Sequence, residues 1–565
     1  MDQIDGRSEC FGGQWQKLPP FFRNQLIARW NQFLKAKYAD NAALAAAWEK
    51  LLPGESLEKG SILLLPMADK SRAGAALNDA SAVARDAMQQ VDQEYSRSDF
   101  AVRRGNDVLE FFISLQVAHK QREAAAIKAL GRSTQLSPMV YDTGIGYEIQ
   151  SQFLHQNADA VAHDAYTNGW GPSLEGEMKK VDPASTPHQQ ALAMQDAERI
   201  SANSGRWVNW LLKPPGLHQG VPWLEHNRVE GKPYLAYETQ IQQPAKYRAD
   251  YPLRIAALAS IQDWDWICWH YFQAPGMAGE KPFEQALDVT TGGHPQGYHY
   301  TFDEVQNSSM VVASEIFRNG LLKAAASPTT FIFGRKSLYD PASMDYAGSY
   351  GMSGLDMNYT TYQYGVRIKI DPTREDDQVI GPVVTFADRN THNPYTPTDQ
   401  IVYDWKRGFL SFDAPGAMAF TGLLANYGNE VTFKNGLVLR DVQIHNAPGM
   451  YDPVRDDEKY IAFSVASNDG KPLSETKGAT LSLVSTSFNT GFKLLGPDGK
   501  QGLSVAGKLP VLTARVAATV QSPALQGMKY TLRDWNMKDI GNGTIDDGTL
   551  AIPNDRPVFI VELTR

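Results

Sequence analysis

Apolar positions change their rhythm along this chain. In residues 19–50 they recur at helical spacing: Phe22, Leu26, Trp30, Phe33 and Leu34 fall on one face, and Pro19-Pro20 mark the entry. A second helix is predicted behind Asp40 or Asn41 as N-cap, running through Leu44 to Trp48 and stopping before Pro53. A long helix over 107–130 carries Leu109, Phe112, Leu115, Ala118 and Ile127 and closes on Gly131. Short apolar runs bounded by turn residues follow at 136–141, 158–165, 234–237 and 266–272, with helical stretches at 187–212 and 252–262 between them. Strands alternating with helices predict a parallel α/β arrangement.

The rhythm shifts near residue 325. Beyond it, short β-type runs stand at 366–370, 379–386, 400–403, 409–412, 417–423, 430–433, 437–444, 460–465, 479–485, 511–519 and 558–563. Turn residues such as Asn468-Asp469-Gly470, Gly496-Pro497-Asp498-Gly499 and Asp546-Asp547-Gly548 separate them, which is the spacing of an antiparallel sandwich. The expected division is therefore an α/β region over 1–325, with insertions near 53–106 and 168–230, and a β-rich region over 326–565.

Composition narrows the functional classes. The 565 residues suffice for several domains, and the formal charge of −9 comes without any basic run, which argues against nucleic acid as a partner. Two cysteines, Cys10 and Cys268, exclude a disulfide scaffold and are expected as free thiols. The longest apolar run, 62–67, is far short of a membrane span. No dinucleotide loop is present at Gly144-Ile145-Gly146, no esterase elbow occurs, and His155, Asp159 and His163 lack metal-ligand spacing, so neither cofactor nor metal is expected. Aromatic residues are plentiful: 12 Trp, 24 Tyr and 23 Phe suit either large packed sandwiches or stacking on sugar rings.

The chemistry concentrates in 232–272. Lys232-Pro233-Tyr234-Leu235-Ala236-Tyr237-Glu238 reads as a strand ending on a carboxylate. An amphipathic helix from Tyr251 to Gln262 comes next, then a strand tipped with Trp266 and Trp269. This succession resembles the last quarter of the clan A retaining glycoside hydrolases, whose (β/α)₈ barrels carry a nucleophilic Glu at the end of strand seven. The resemblance implies Glu238 as nucleophile, with Tyr237 beside it in the substrate site, and Trp269 as the strand-eight sugar platform. His163 and Tyr166 are similar to the His-x-x-Tyr pair of strand six that faces the nucleophile. By the same resemblance Glu9 is the acid/base, with Trp15 nearby; Glu148 is the reserve. The family usually has Asn immediately before this Glu, where it binds the sugar 2-hydroxyl; here Ser8, a shorter donor, occupies that place. Trp170, Trp223 and Trp266 are further candidates for sugar stacking.

Two carboxylates suit glycoside cleavage, one attacking the anomeric carbon while the other protonates the leaving oxygen. The implied fold is a TIM-type barrel lacking its first three strands, either by truncation at the amino terminus, the favoured reading, or with those strands supplied from elsewhere, followed by an accessory β-sandwich. The implied partner is a poly- or oligosaccharide, without nucleic acid or membrane. Met1 leads directly into polar residues with no signal peptide; on a truncated start, the full-length protein is expected to be secreted or periplasmic. Two other classes compete: a catalytically inactive carbohydrate-binding protein derived from such an enzyme, and a structural β-sandwich protein whose helical half is a docking platform.

Overall fold

A computed structural model describes residues 15, 18–65, 99–130, 140–141, 149–168, 224, 226–242, 245–270, 303–339, 355, 357–385, 400–494, 504–505 and 508–565. Helix α1 (Pro20–Lys37) and helix α2 (Asn41–Trp48) form where the apolar spacing predicts, and the Asp40 side chain caps α2 by accepting from the Ala43 N–H at 2.8 Å. Helix α3 (Asp99–Ala129) begins earlier than its apolar stripe; the stop expected at Gly131 lies outside the described residues. Trp30 and Trp48 stack with ring centroids 6.2 Å apart, and Asp107 of α3 accepts from the Trp48 indole at 2.9 Å and the Tyr38 hydroxyl at 2.7 Å. Arg104 crosses the same layer, buried and paired with buried Glu55 at 2.7 Å. Phe22, expected on the inward stripe, is exposed together with Phe21. The buried side of α1 runs instead through Trp30, Asn31 and Leu34.

Four strands, β1 (Val140–Tyr141), β2 (Ala160–Asn168), β3 (Tyr234–Gln242) and β4 (Trp266–Trp269), make one sheet in sequence order, every pair parallel. Helix α4 (Ile149–Gln156) links β1 to β2, and helix α5 (Tyr251–Gln262) links β3 to β4, as parallel pairing requires. Among the described residues this parallel sheet has four strands and no closed barrel. Helix α5 was expected to be amphipathic; all of it except Ser260 is buried, because other elements cover it all round.

Helix α6 (Glu304–Arg318) explains much of that cover. Asp303 caps it, accepting from the Gln306 N–H at 3.1 Å, and it packs against α5 on one side and against strands Tyr460–Ser467 and Gly478–Val484 on the other. A small sheet of order β6-β5-β7 follows, from β5 (Thr329–Phe333), β6 (Val366–Ile370) and β7 (Gln378–Ile380), with helix α7 (Met357–Tyr364) between β5 and β6. Phe331, Phe333, Val366, Ile368 and Ile370 of this sheet share a core with Trp30, Leu34, Trp48 and Phe111 of the amino-terminal helices. Core contacts therefore cross residue 325 in both directions.

The rest of the chain is a large antiparallel region. One sheet has eight strands, with Tyr460–Ser467 near its centre between Ala417–Leu423 and Gly478–Val484; a second has four, with Val438–His445 and Arg515–Gln521 in the middle. Both sheets contribute to one core containing Phe420, Phe463, Leu481, Leu439, Val520 and Leu550. Strand Tyr460–Ser467 is buried along its whole length, and its alternation divides two cores. Ile461, Phe463 and Val465 point into the sandwich, whereas Tyr460, Ala462 and Ala466 join the core of α5 and α6. Ala417 and Ala419 lie on that second side too. Small side chains there let a helix lie close to the sheet.

Polar groups fasten the same boundary. Buried Lys246 pairs with Asp452 at 3.0 Å and Glu458 at 2.6 Å, and the Tyr247 hydroxyl donates to Glu458 at 3.0 Å. Arg248 reaches both carboxylate oxygens of Asp303, at 3.0 and 2.9 Å, and donates to the Ser487 carbonyl at 3.0 Å.

Candidate functional site

The site grows from an irregularity in β3. Tyr234 and Ala236 are fully buried on the face of the parallel sheet that the helices cover. Strict alternation would put Glu238 on that same face. The pairing slips instead: His163 stands opposite Ala236, yet Asp164, the next residue of β2, stands opposite Glu238. Against β4 the same slip appears, Ala236 opposite Ile267 and Thr239 opposite Trp269. One extra residue, a β-bulge at Tyr237-Glu238, has been inserted. Thr239 returns to the helix-covered face, where its hydroxyl lies 2.6 Å from that of Tyr251 in α5. Tyr237 and Glu238 are thereby both turned to the opposite face, and Glu238 keeps 35% of its side-chain surface exposed.

On that face Glu238 has defined neighbours. Asp164 is its register partner on β2. His270, directly after β4, places Nδ1 3.4 Å from Glu238 Oε2. Burial lowers the imidazole's proton affinity, and the Glu238 charge pulls it the other way. Trp266, in register with Leu235, presents an indole that is 57% exposed. A half-exposed carboxylate beside an imidazole, with an exposed indole farther along the same face of the sheet, can bind a polar ring and supply an attacking oxygen. His270 was missed in the sequence because the aromatic tips of the strand drew attention to Trp269. Counting alternate positions onward from Trp266, through Cys268, reaches it.

The structure brings only part of the expected constellation together. Glu238 and Tyr237 lie at the bulge, inside a strand longer than predicted and not at its end. Trp269, expected as the sugar platform, is in register with Thr239 and packs with Ile267 against the α5–α6 core, on the other side of the sheet from Glu238. His163, expected to face the nucleophile, points into the helix layer: it is 1% exposed and meets His155 edge-on at 4.6 Å and Tyr234 at 5.8 Å between ring centroids. Both corrections have one cause, since the bulge inverts Glu238 relative to its neighbours. Tyr166 pairs in register with Gln240 of β3. Trp15 is a core residue, 5% exposed among Trp30, Leu34 and Leu64. Glu9, Ser8, Glu148, Cys10, Trp170 and Trp223 lie outside the described residues. Cys268 is a free thiol on β4.

The histidines behind the sheet have a consequence of their own. His155, His163 and His226 are all buried; burial holds the imidazole of His155 down to about 3, and burial with the two neighbouring imidazoles holds His163 well below its usual range. Among the described residues no three side chains are grouped to hold a metal. Both groups have depressed values in the folded state, so the unfolded chain binds more protons once the pH drops below about 6.5. Stability is full above that pH and is lost as the pH falls, by about 1.4 kcal/mol per pH unit for each histidine. Between pH 7 and pH 5 His155 alone is expected to cost about 2 kcal/mol, and His163 adds to the loss in the same direction. Urea midpoints measured across this range should fall in the wild type and flatten in a His155→Gln/His163→Gln double variant; equal slopes would show that these imidazoles are not desolvated.

Comparison of the chain with family models, with curated proteins and with solved structures returns no match.

Proposed function

We propose that this protein is a retaining glycoside hydrolase acting on a poly- or oligosaccharide, with Glu238 as its nucleophile. The observation that carries the reading is the bulge at Tyr237-Glu238. It takes a carboxylate out of the buried alternation of β3 and sets it, partly exposed, beside His270 and within one strand of an exposed indole. Bulges of this kind re-aim side chains next to active sites. In this reading β1–β4 and their helices are part of a (β/α)₈-type barrel, the site face is its inner side, and the antiparallel region is an accessory sandwich. Glu9 is the proton donor by resemblance.

The reaction would run in two displacements. A Glu238 oxygen bonds to the anomeric carbon while the bond to the leaving oxygen breaks and that oxygen takes a proton from the acid. Water, deprotonated by the same group, then attacks the carbon and releases Glu238. The Trp266 indole offers the flat apolar face on which a sugar ring stacks.

The test is covalent trapping. The protein is screened on a panel of p-nitrophenyl glycosides, then incubated with the 2-deoxy-2-fluoro analogue of the sugar it cleaves. A glycosyl adduct on the peptide containing Glu238 is expected. An adduct on another carboxylate, or cleavage with inverted stereochemistry, would refute the assignment.

A further inference from the structure

His270 has no place among the roles that the resemblance assigns, yet it is fixed to the same bulge. Its backbone N–H donates to the Thr239 carbonyl at 3.3 Å, and its Nδ1 lies 3.4 Å from Glu238 Oε2. Among the described side chains, the other titratable groups on this face are Asp164 of β2, Tyr237 of the bulge and Cys268 of β4, by register and alternation. A carboxylate nucleophile bonds to carbon through one oxygen, and its rate depends on the other being held in place.

Resting on the function proposed above, we propose that His270 is a positioning residue for Glu238: as a neutral imidazole it donates from Nδ1 to Oε2, so that Oε1 is presented to the anomeric carbon. The desolvated setting of the ring favours this neutral form. As Oε1 bonds to carbon and the leaving oxygen departs with the acid's proton, the Nδ1 proton stays on His270. Its acceptor changes from a carboxylate oxygen to the carbonyl oxygen of the glycosyl ester, and in the second displacement the change reverses. Protonation of His270 would tie the carboxylate into a charged pair and weaken it as a nucleophile.

Asparagine offers an amide N–H near the position of Nδ1 but does not titrate. With an aryl glycoside that the wild type cleaves, H270A is expected to lower kcat by up to about 100-fold while KM stays within about threefold. H270N is expected to recover most of that loss, and the imidazole's contribution to the acid limb of kcat/KM should vanish in both variants. Circular dichroism and thermal midpoints establish that both are folded. A second measurement needs no turnover: in ¹³Cε1-histidine NMR titrations the signal absent from H270N identifies His270. Its midpoint should move down by about one pH unit in E238Q, the effect of removing one adjacent charge. Wild-type kcat and pH profile in folded H270A, with cleavage still dependent on Glu238, would overturn this inference and spare the proposed function. Cleavage independent of Glu238 would overturn the function itself. A His270 midpoint unmoved in E238Q would overturn the pairing whether or not any glycoside is cut.

Discussion

Glu238→Gln is expected to abolish turnover of aryl glycosides, with a loss in kcat on the order of 10³-fold or more, while sugar binding persists. Glutamine matches glutamate in shape and can still fill the place beside His270, so the bulge and the stacking surface of Trp266 should survive. What disappears is the anionic oxygen that bonds to carbon, an interaction realised only on the way to the transition state. The loss should therefore fall on kcat, and calorimetric titration with the product sugar should give the same affinity for both proteins. Undiminished cleavage by the variant would remove Glu238 from the mechanism. Sugar binding without cleavage, in wild type and variant alike, would instead favour the carbohydrate-binding class.

The second large effect is on stability. Asp303→Ala is expected to destabilise the protein by about 3–5 kcal/mol, because it leaves the Arg248 guanidinium buried without its carboxylate. Asp303 is fully buried and meets Arg248 through both oxygens, while Oδ1 also accepts from the Gln306 N–H at the start of α6. Loss of that cap adds about 1 kcal/mol. Asp303→Asn separates the two contributions: it keeps an acceptor for the helix terminus but removes the charge, so it should lie between wild type and alanine. Denaturant midpoints of the three proteins test this. An alanine variant as stable as the wild type would mean that Arg248 is satisfied by its other partners, the Ala245 carbonyl at 3.1 Å, the Ser487 carbonyl and hydroxyl, and the nearby charge of Glu304.

Local signals in the sequence carried much of the architecture. The runs at 366–370 and 417–423 form strands with those bounds, because Gly365, Pro415-Gly416 and the turn residues around them stop pairing on either side. The cap at Asp40 was legible because a short carboxylate side chain just before a helical run accepts from the free N–H groups of the first turn. Helix α6 went unread although Asp303 and the recurrence of Val305, Ser309, Val312 and Ile316 announce it. The burial of α5 on all sides could not be read from its own residues, since the cover is supplied by elements distant in the chain.

The site shows the same limit more sharply. Glu238 was found from its strand and the segment after it. The side of the sheet it occupies was not, because a single inserted residue reverses every later side chain and only the neighbouring strands reveal the slip. Trp269 and His163 were misplaced by that one residue. His270 was overlooked for a different reason, the aromatic tips of β4 pointing to Trp269 instead.

Helix α6 couples the parallel sheet to the sandwich, and this bears on how the protein tolerates a broken backbone. Residues 326 and 327 are exposed, just before β5. A chain severed there should hold together as two pieces and co-elute as one particle, since the seam is sealed by interlocking apolar faces and by Arg248 and Lys246. Each piece made alone would leave half of that seam bare to water, and should come out of the cell as aggregate.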